Sequence, residues 1–334
     1  MAAQATGQKT GFWQNQKARD EALTAYLFLS PYLIITLVFT VGLLIYAVYL
    51  SFTRFDLFTP PEWRGINNYI ESLADTRFLR SLYNVAWYSL IVTPIQTFLA
   101  ILMAVLLNAP IAGKRFFRTV FYAPSVTSSV VISMIFIWLY NRNGFINFGL
   151  SQLLARDVTV SWLQEPRGLI EIIAGLFGGV IPADQWWLRG PSVALMAIMA
   201  MNIFTTAPTF MIMFLAALQD IPGYVYEAAA LDGSYGAHRF FKITLPLLRP
   251  VILLVVVLST IGTFQLFDQA LLMTAGGPLD TTLTPTLLIY NEALGKAGPP
   301  RMGLASAMAF VLGAIIFVFT FIQRHYIESG TEQI

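Results

Sequence analysis

Six apolar stretches divide this chain, at residues 26–52, 82–107, 120–140, 193–218, 250–274 and 302–323. Five carry no acidic or basic side chain, and the one at 250–274 carries Asp268 alone. A bilayer's hydrocarbon core of roughly 30 Å takes about 20 apolar helical residues, so each stretch is predicted to be a membrane-spanning helix. Ten-residue strands of alternating polarity, the mark of a membrane barrel, are not seen. Helices satisfy every backbone group within the segment, as lipid demands. A seventh run at 169–181 has 13 residues, contains Glu171 and closes on Gly178, Gly179 and Pro182. At 1.5 Å per residue it reaches only about 20 Å, which predicts an interfacial or re-entrant helix.

Composition agrees. The chain has 334 residues, 57% hydrophobic and 11% charged, whereas soluble domains run near roughly 25% charged. A net charge of +2 spread along the chain removes nucleic acid as a partner. The absence of cysteine excludes disulfides and thiolate metal sites, and two histidines, His238 and His325, are too few for a histidine metal motif. No cofactor is therefore expected on this chain. The link 108–118 carries Lys114, Arg115 and Arg118 and no acid, which places it inside by the positive-inside rule. The expected fold is all-α and polytopic in the cell inner membrane, with six spans over 26–324. Both tails, 1–25 and 325–334, are expected to be cytoplasmic, and the loop 141–190 external. Trp13, Trp63, Trp138, Trp162, Trp186 and Trp187 sit at or beyond span ends, as interfacial anchors do.

One loop is unlike the others. Residues 219–249 read QDIPGYVYEAAALDGSYGAHRFFKITLPLLR. Asp220 can cap, Pro222 suits a first helical turn, and Ala and Leu favour a short helix over 224–231. Gly233 supplies a left-handed stop, and Ser234 can cap a second helix over 235–242. The predicted product is a helix–Gly–helix knuckle displaying Tyr224, Tyr226, Phe240 and Phe241 beside Glu227 and Asp232, suited to a groove on another protein.

Glu227, Ala228, Ala229, Asp232, Gly233, Ile243, Leu245 and Pro246 are similar to the E-A-A-x-x-D-G-A-(x)8-I-x-L-P motif of ABC importer permeases, with Ser234 where alanine is usual. Further marks resemble the MalF-like sugar branch: Asn67-Asn68-Tyr69 with Phe78 and Asn84, then Arg118 with Pro124, Gly144 with Asn147, and Met273-Thr274-Ala275-Gly276-Gly277-Pro278. The resemblance implies that the 219–249 loop, Phe240 included, couples to a dimer of ATPase subunits that hold ATP and Mg. It also implies a second permease subunit and an external solute-binding protein. No G-x-x-x-x-G-K-[ST] occurs in the chain, so ATP hydrolysis is expected elsewhere.

Polar groups inside spans face cavities or partner helices. Asn202, Thr206 and Thr209 share one face of the fourth span, and Ser259 and Thr263 share one of the fifth, with Gln265 and Asp268 following. These seven are candidates for a substrate path; packing against neighbouring helices is the competing role for the hydroxyls. With no lysine or arginine in the spans, the expected cargo is a sugar or oligosaccharide, with another solute such as glycerol phosphate as the alternative. An ion-coupled secondary transporter would need more intramembrane charge than Asp268 offers. Pro94 and Pro208 interrupt the backbone ladder of two spans and are expected to kink them. A Trp-Leu-x-x-Pro pattern occurs at both 162–166 and 187–191, so residues 164–186 read as an insertion, expected to meet the binding protein.

Overall fold

The computed structural model describes residues 16–110, 112–182, 184–296 and 298–328. Residues 1–15 and 329–334 of the two expected tails, Trp13 among them, lie outside the described residues. Described helices are α1 (Gln16–Ile35), α2 (Leu43–Ser51), α3 (Asn67–Ala74), α4 (Thr76–Asn108), α5 (Lys114–Val126), α6 (Ser129–Leu139), α7 (Phe145–Leu154), α8 (Leu169–Leu176), α9 (Val193–Asp220), α10 (Gly223–Leu231), α11 (Gly236–Arg239), α12 (Leu245–Leu247), α13 (Arg249–Phe264), α14 (Asp268–Thr274), α15 (Pro285–Ala293) and α16 (Met302–Glu328). A π-helical turn, Thr36–Gly42, joins α1 to α2. The two-residue strands Thr53–Arg54 and Glu62–Trp63 pair antiparallel beyond α2.

Four continuous helices are long and apolar enough to cross a membrane, Arg19–Ser51, Thr76–Asn108, Val193–Asp220 and Met302–His325. The remaining two expected spans are broken. The third turns by 94° between Lys114–Val126 and Ser129–Leu139. The fifth stops at Phe264, and α14 begins a separate helix at Asp268. Apolar composition marks what lipid tolerates; it does not require one straight helix, because a broken backbone survives wherever protein or water satisfies it. The prolines do not mark these breaks exclusively: α4 and α9 run on through Pro94 and Pro208. The run at 169–181 is helical only to Leu176, where Phe177 and the left-handed Gly178 end it.

α4 lies along α9, α13 packs against α4, and α16 packs against α13, α15 and α2. Inside lipid, burial gives no hydrophobic preference for one helix over another, so close packing of small residues decides. Ala100 and Ala104, one turn apart on α4, are fully buried beside Met211, Phe214 and Val255. Toward the other end of α9, Tyr88, Val92, Leu195, Ile198 and Met201 form a second cluster.

Three buried asparagines tie loops to this frame. Asn68 donates to the carbonyls of Ser51 and Thr53, at 2.9 and 2.8 Å, and accepts from Arg64. Asn84 donates to the carbonyls of Asp280 and Leu283, both at 2.9 Å. Asn147 donates to Arg142 and Val160 carbonyls and accepts from the Trp162 indole. Trp162 is thereby a packed loop anchor and not a free interfacial ring.

Candidate functional site

The knuckle is built much as its sequence dictates. Pro222 precedes α10, and after it Gly233 adopts φ +74° while donating to the Ala230 carbonyl at 3.1 Å. Ala229 is buried at the turn, and Ser234 N–H donates to its carbonyl at 2.8 Å. Two details differ from expectation. Ser234 Oγ is buried without a partner, and α11 starts at Gly236 with Tyr235 at its cap position and no side-chain cap. Asp220 ends α9 without capping α10. The second helix is only four residues of α before a π-helical segment, Phe240–Thr244, leads into Leu245 and Pro246.

Tyr226 ties the two arms together. Its ring lies under the Arg239 guanidinium, 5.4 Å to the centroid, and its hydroxyl accepts from Thr244 at 3.4 Å. Behind it a cavity of about 450 Å³ is lined by Val105, Asn108, Leu218, Tyr226, Arg239 and Phe240. The outward surface is apolar and acidic at once. Leu231 is 91% exposed, Tyr224, Tyr235 and Phe241 are exposed, and Glu227 and Asp232 have no ion-pair partner among the described residues. Ile243, Leu245 and Pro246 are half-buried and form the root of the knuckle.

The polar side chains inside the bundle separate into two groups. Near the middle of α4, Gln96 is buried, accepting from Thr206 on α9 and donating to Ser259 on α13, and Ser259 in turn donates to Thr93 at 2.9 Å. Asn202, buried one turn away, lends its carbonyl to Thr206 at 2.8 Å, and Thr263 donates to the Thr260 carbonyl at 2.9 Å. Thr206 of α9 and Ser259 of α13 are thus brought together through Gln96 and Thr93 of α4, partners that the sequence reading did not single out, with Asn202 one turn before Thr206. The amide midway along an uncharged span was the available signal. Such interhelical hydrogen bonds are worth about 0.6 kcal/mol each on average in membrane helices.

Thr209, Gln265 and Asp268 form the exposed group. Gln265 and Asp268 flank the break between α13 and α14. Asp268 accepts from Ser129 at 3.1 Å, so the fifth-span break touches the third-span break at Thr127 and Ser128. α13 has 16 residues and α6 has 11, about 24 and 16 Å at 1.5 Å per residue, each shorter than the roughly 30 Å of hydrocarbon. Non-helical backbone within the hydrocarbon is tolerated only beside protein or a water-filled cavity. Ser129, Thr127 and Ser128 were absent from the sequence-derived set, although Pro124 and the run Ser-Val-Thr-Ser-Ser at 125–129 interrupt an otherwise apolar stretch.

Comparison with known proteins places this architecture. Residues 96–329 match the family described as binding-protein-dependent transport system inner membrane component. A probable ABC transporter permease, YesP of Bacillus subtilis, is 33% identical over 313 residues, covering 92% of each chain. The trehalose/maltose transport permease MalF of Thermococcus litoralis is 29% identical, covering 93% of this chain and 94% of its own. Among solved structures, a bacterial alginate ABC transporter in complex with an alginate pentasaccharide-bound periplasmic protein contains a chain that superposes with a TM-score of 0.73 at 21% identity, covering 94% of this chain and 97% of that one.

Proposed function

The chain belongs to the family of binding-protein-dependent transport system inner membrane components, a transport permease and not an enzyme, and from that premise we propose how it carries its cargo and where its work enters. The cargo is a sugar or oligosaccharide. It passes the crossing of the two broken spans, where Gln265, Asp268 and the hydroxyls of Thr127, Ser128 and Ser129 supply neutral donors and acceptors with one carboxylate, and past the exposed Thr209 of α9. The paired breaks joined by the Ser129–Asp268 hydrogen bond carry this reading, because polar, non-helical, exposed backbone at membrane depth needs a wet passage or a partner chain to cover it. The buried set around Gln96 holds the helices on which the passage stands.

Movement is driven from the knuckle. With the 219–249 loop in the cytoplasm, the unpaired Glu227 and Asp232 and the exposed Leu231, Tyr224 and Phe241 dock into a groove of an ATPase subunit, which holds ATP and Mg. A second permease subunit supplies the matching half of the passage, and an external binding protein delivers the ligand. Closure of the ATPase dimer draws the knuckles together and biases the spans between inward-open and outward-open arrangements. Tyr226, touching Arg239 and Thr244, transmits that movement from α10 to the segment leading into α13.

Affinity purification of this chain from its own membranes is expected to bring down an ATPase and a second permease. In proteoliposomes of that complex, Gln265→Ala and Asp268→Asn are each expected to raise the KM for uptake about tenfold, the equivalent of one hydrogen bond of about 1.4 kcal/mol. Asparagine still accepts from Ser129, so the crossing stays folded. Unaltered KM in both variants would remove these residues from the passage, and purification of the chain without an ATPase would remove the coupling scheme.

A further inference from the structure

The second Trp-Leu-x-x-Pro segment closes a loop with two distinct parts. Its base is rigid. Leu169 N–H donates to the Pro191 carbonyl at 2.9 Å, Ile170 N–H to that of Arg189 at 3.0 Å, and Val193 N–H to that of Arg167 at 3.1 Å. Gly168 packs so closely that a Cβ there would stand 1.9 Å from the Arg189 oxygen. The base is bolted to α4: Gly190 N–H donates to the Tyr83 hydroxyl at 2.9 Å, and Trp186 stacks edge-on against Tyr83 at 5.3 Å with Arg80 over its face at 5.4 Å.

The tip is a different material. Residues 172–182 read IIAGLFGGVIP, eleven positions without one side chain that can donate or accept a hydrogen bond. Leu176, Phe177 and Val180 are 80, 87 and 90% exposed. We infer that this tip inserts shallowly into the lipid of the membrane surface from which α4 descends, and that it anchors the loop there. Three observations place it in lipid. The loop's attachment point, Tyr83, adjoins Leu82, where the uncharged stretch of α4 begins after Arg77 and Arg80, so the base sits at the membrane boundary. Trp186, the exposed Trp187, Tyr83 and Trp87 cluster there, the composition of an interfacial aromatic belt. A protein partner, in contrast, is held by roughly one hydrogen bond per 100–200 Å² of interface, which these eleven side chains cannot supply. Gly178 and Gly179 leave backbone groups outside the helix, which limits insertion to the headgroup and upper acyl zone.

The inference depends only on the chain being embedded in a membrane, so it stands or falls separately from the cargo and coupling schemes. Because the chain contains no cysteine, Phe177→Cys and Val180→Cys each create a single labelling site at an exposed position that no fold contact needs. The permease complex carrying a nitroxide at that site is placed in nanodiscs of phosphatidylethanolamine and phosphatidylglycerol without binding protein. Oxygen is expected to be the more effective relaxant at Phe177 and Val180, and a water-soluble nickel chelate the more effective at Arg167→Cys in the loop base. Equal exposure of tip and base to the nickel chelate would overturn the inference. Protection of the tip that develops only on adding ligand-loaded binding protein would also overturn it, and would assign the tip to that protein.

Discussion

Replacing Gly233 with proline will abolish uptake while leaving the chain inserted in the membrane. Gly233 holds φ +74° and donates its N–H to Ala230; proline has no N–H and fixes φ near −65°. Proline also disfavours helical geometry in the residue before it, and Asp232 lies at φ −77°, ψ 6°. Three local requirements therefore fail at one position, and α10 can no longer lead into α11 at the angle that lets Tyr226 reach Arg239 and Thr244. Uptake should fall by at least about 100-fold, equivalent to about 3 kcal/mol, and ATP hydrolysis by the purified complex should lose its stimulation by ligand-loaded binding protein. An ideal Cβ at Gly233 meets nothing within 4 Å, so Gly233→Asn, which tolerates the left-handed region, should retain most of the activity. Normal stimulated hydrolysis in the proline variant would show that the knuckle does not transmit the work.

The second large effect is structural. Asn147 is 2% exposed and its side chain serves three partners, the carbonyls of Arg142 and Val160 and the indole of Trp162. Asn147→Ala strands all three. At about 1 kcal/mol or more for each buried group left unpaired, the cost is about 3 kcal/mol. The variant should melt several degrees below the parent in detergent, and its 141–162 segment should become more sensitive to protease. Asn147→Asp keeps the acceptor for Trp162 but sets a buried carboxylate oxygen against the two carbonyls, and should lose at least as much stability as the alanine variant. A melting temperature equal to the parent's in Asn147→Ala would mean that packing of Trp162 against Tyr140 holds this loop without the amide.

The motif marks other than the knuckle acquire a common physical meaning from these contacts. Asn68, Asn84 and Asn147 each bind loop carbonyls at a helix end, and Gly144 sits where a Cβ would press to 2.4 Å from the Leu139 oxygen. Gly276, at φ +88°, opens the turn that presents Asp280 and Leu283 to Asn84. The sequence showed that these residues were unusual; only their carbonyl partners, 5 to 199 positions away along the chain, showed what they do.

Hydropathy was enough to establish a helical membrane protein, because a lipid interior accepts few backbone solutions and each leaves a length and polarity record in the chain. The knuckle was also legible, since Pro222, the alanines and Gly233 act through local backbone geometry that needs no distant partner. Where the spans break was not legible. Uncharged residues suit lipid in straight and broken helices alike, and the breaks at Thr127 and Gln265 are held by each other, through Ser129 and Asp268. The division of the polar residues was equally a tertiary matter. Asn202, Thr206 and Thr209 lie on one helical face by periodicity, but only Thr206 bonds to Gln96, Asn202 is buried one turn before it, and Thr209 is exposed among the described residues.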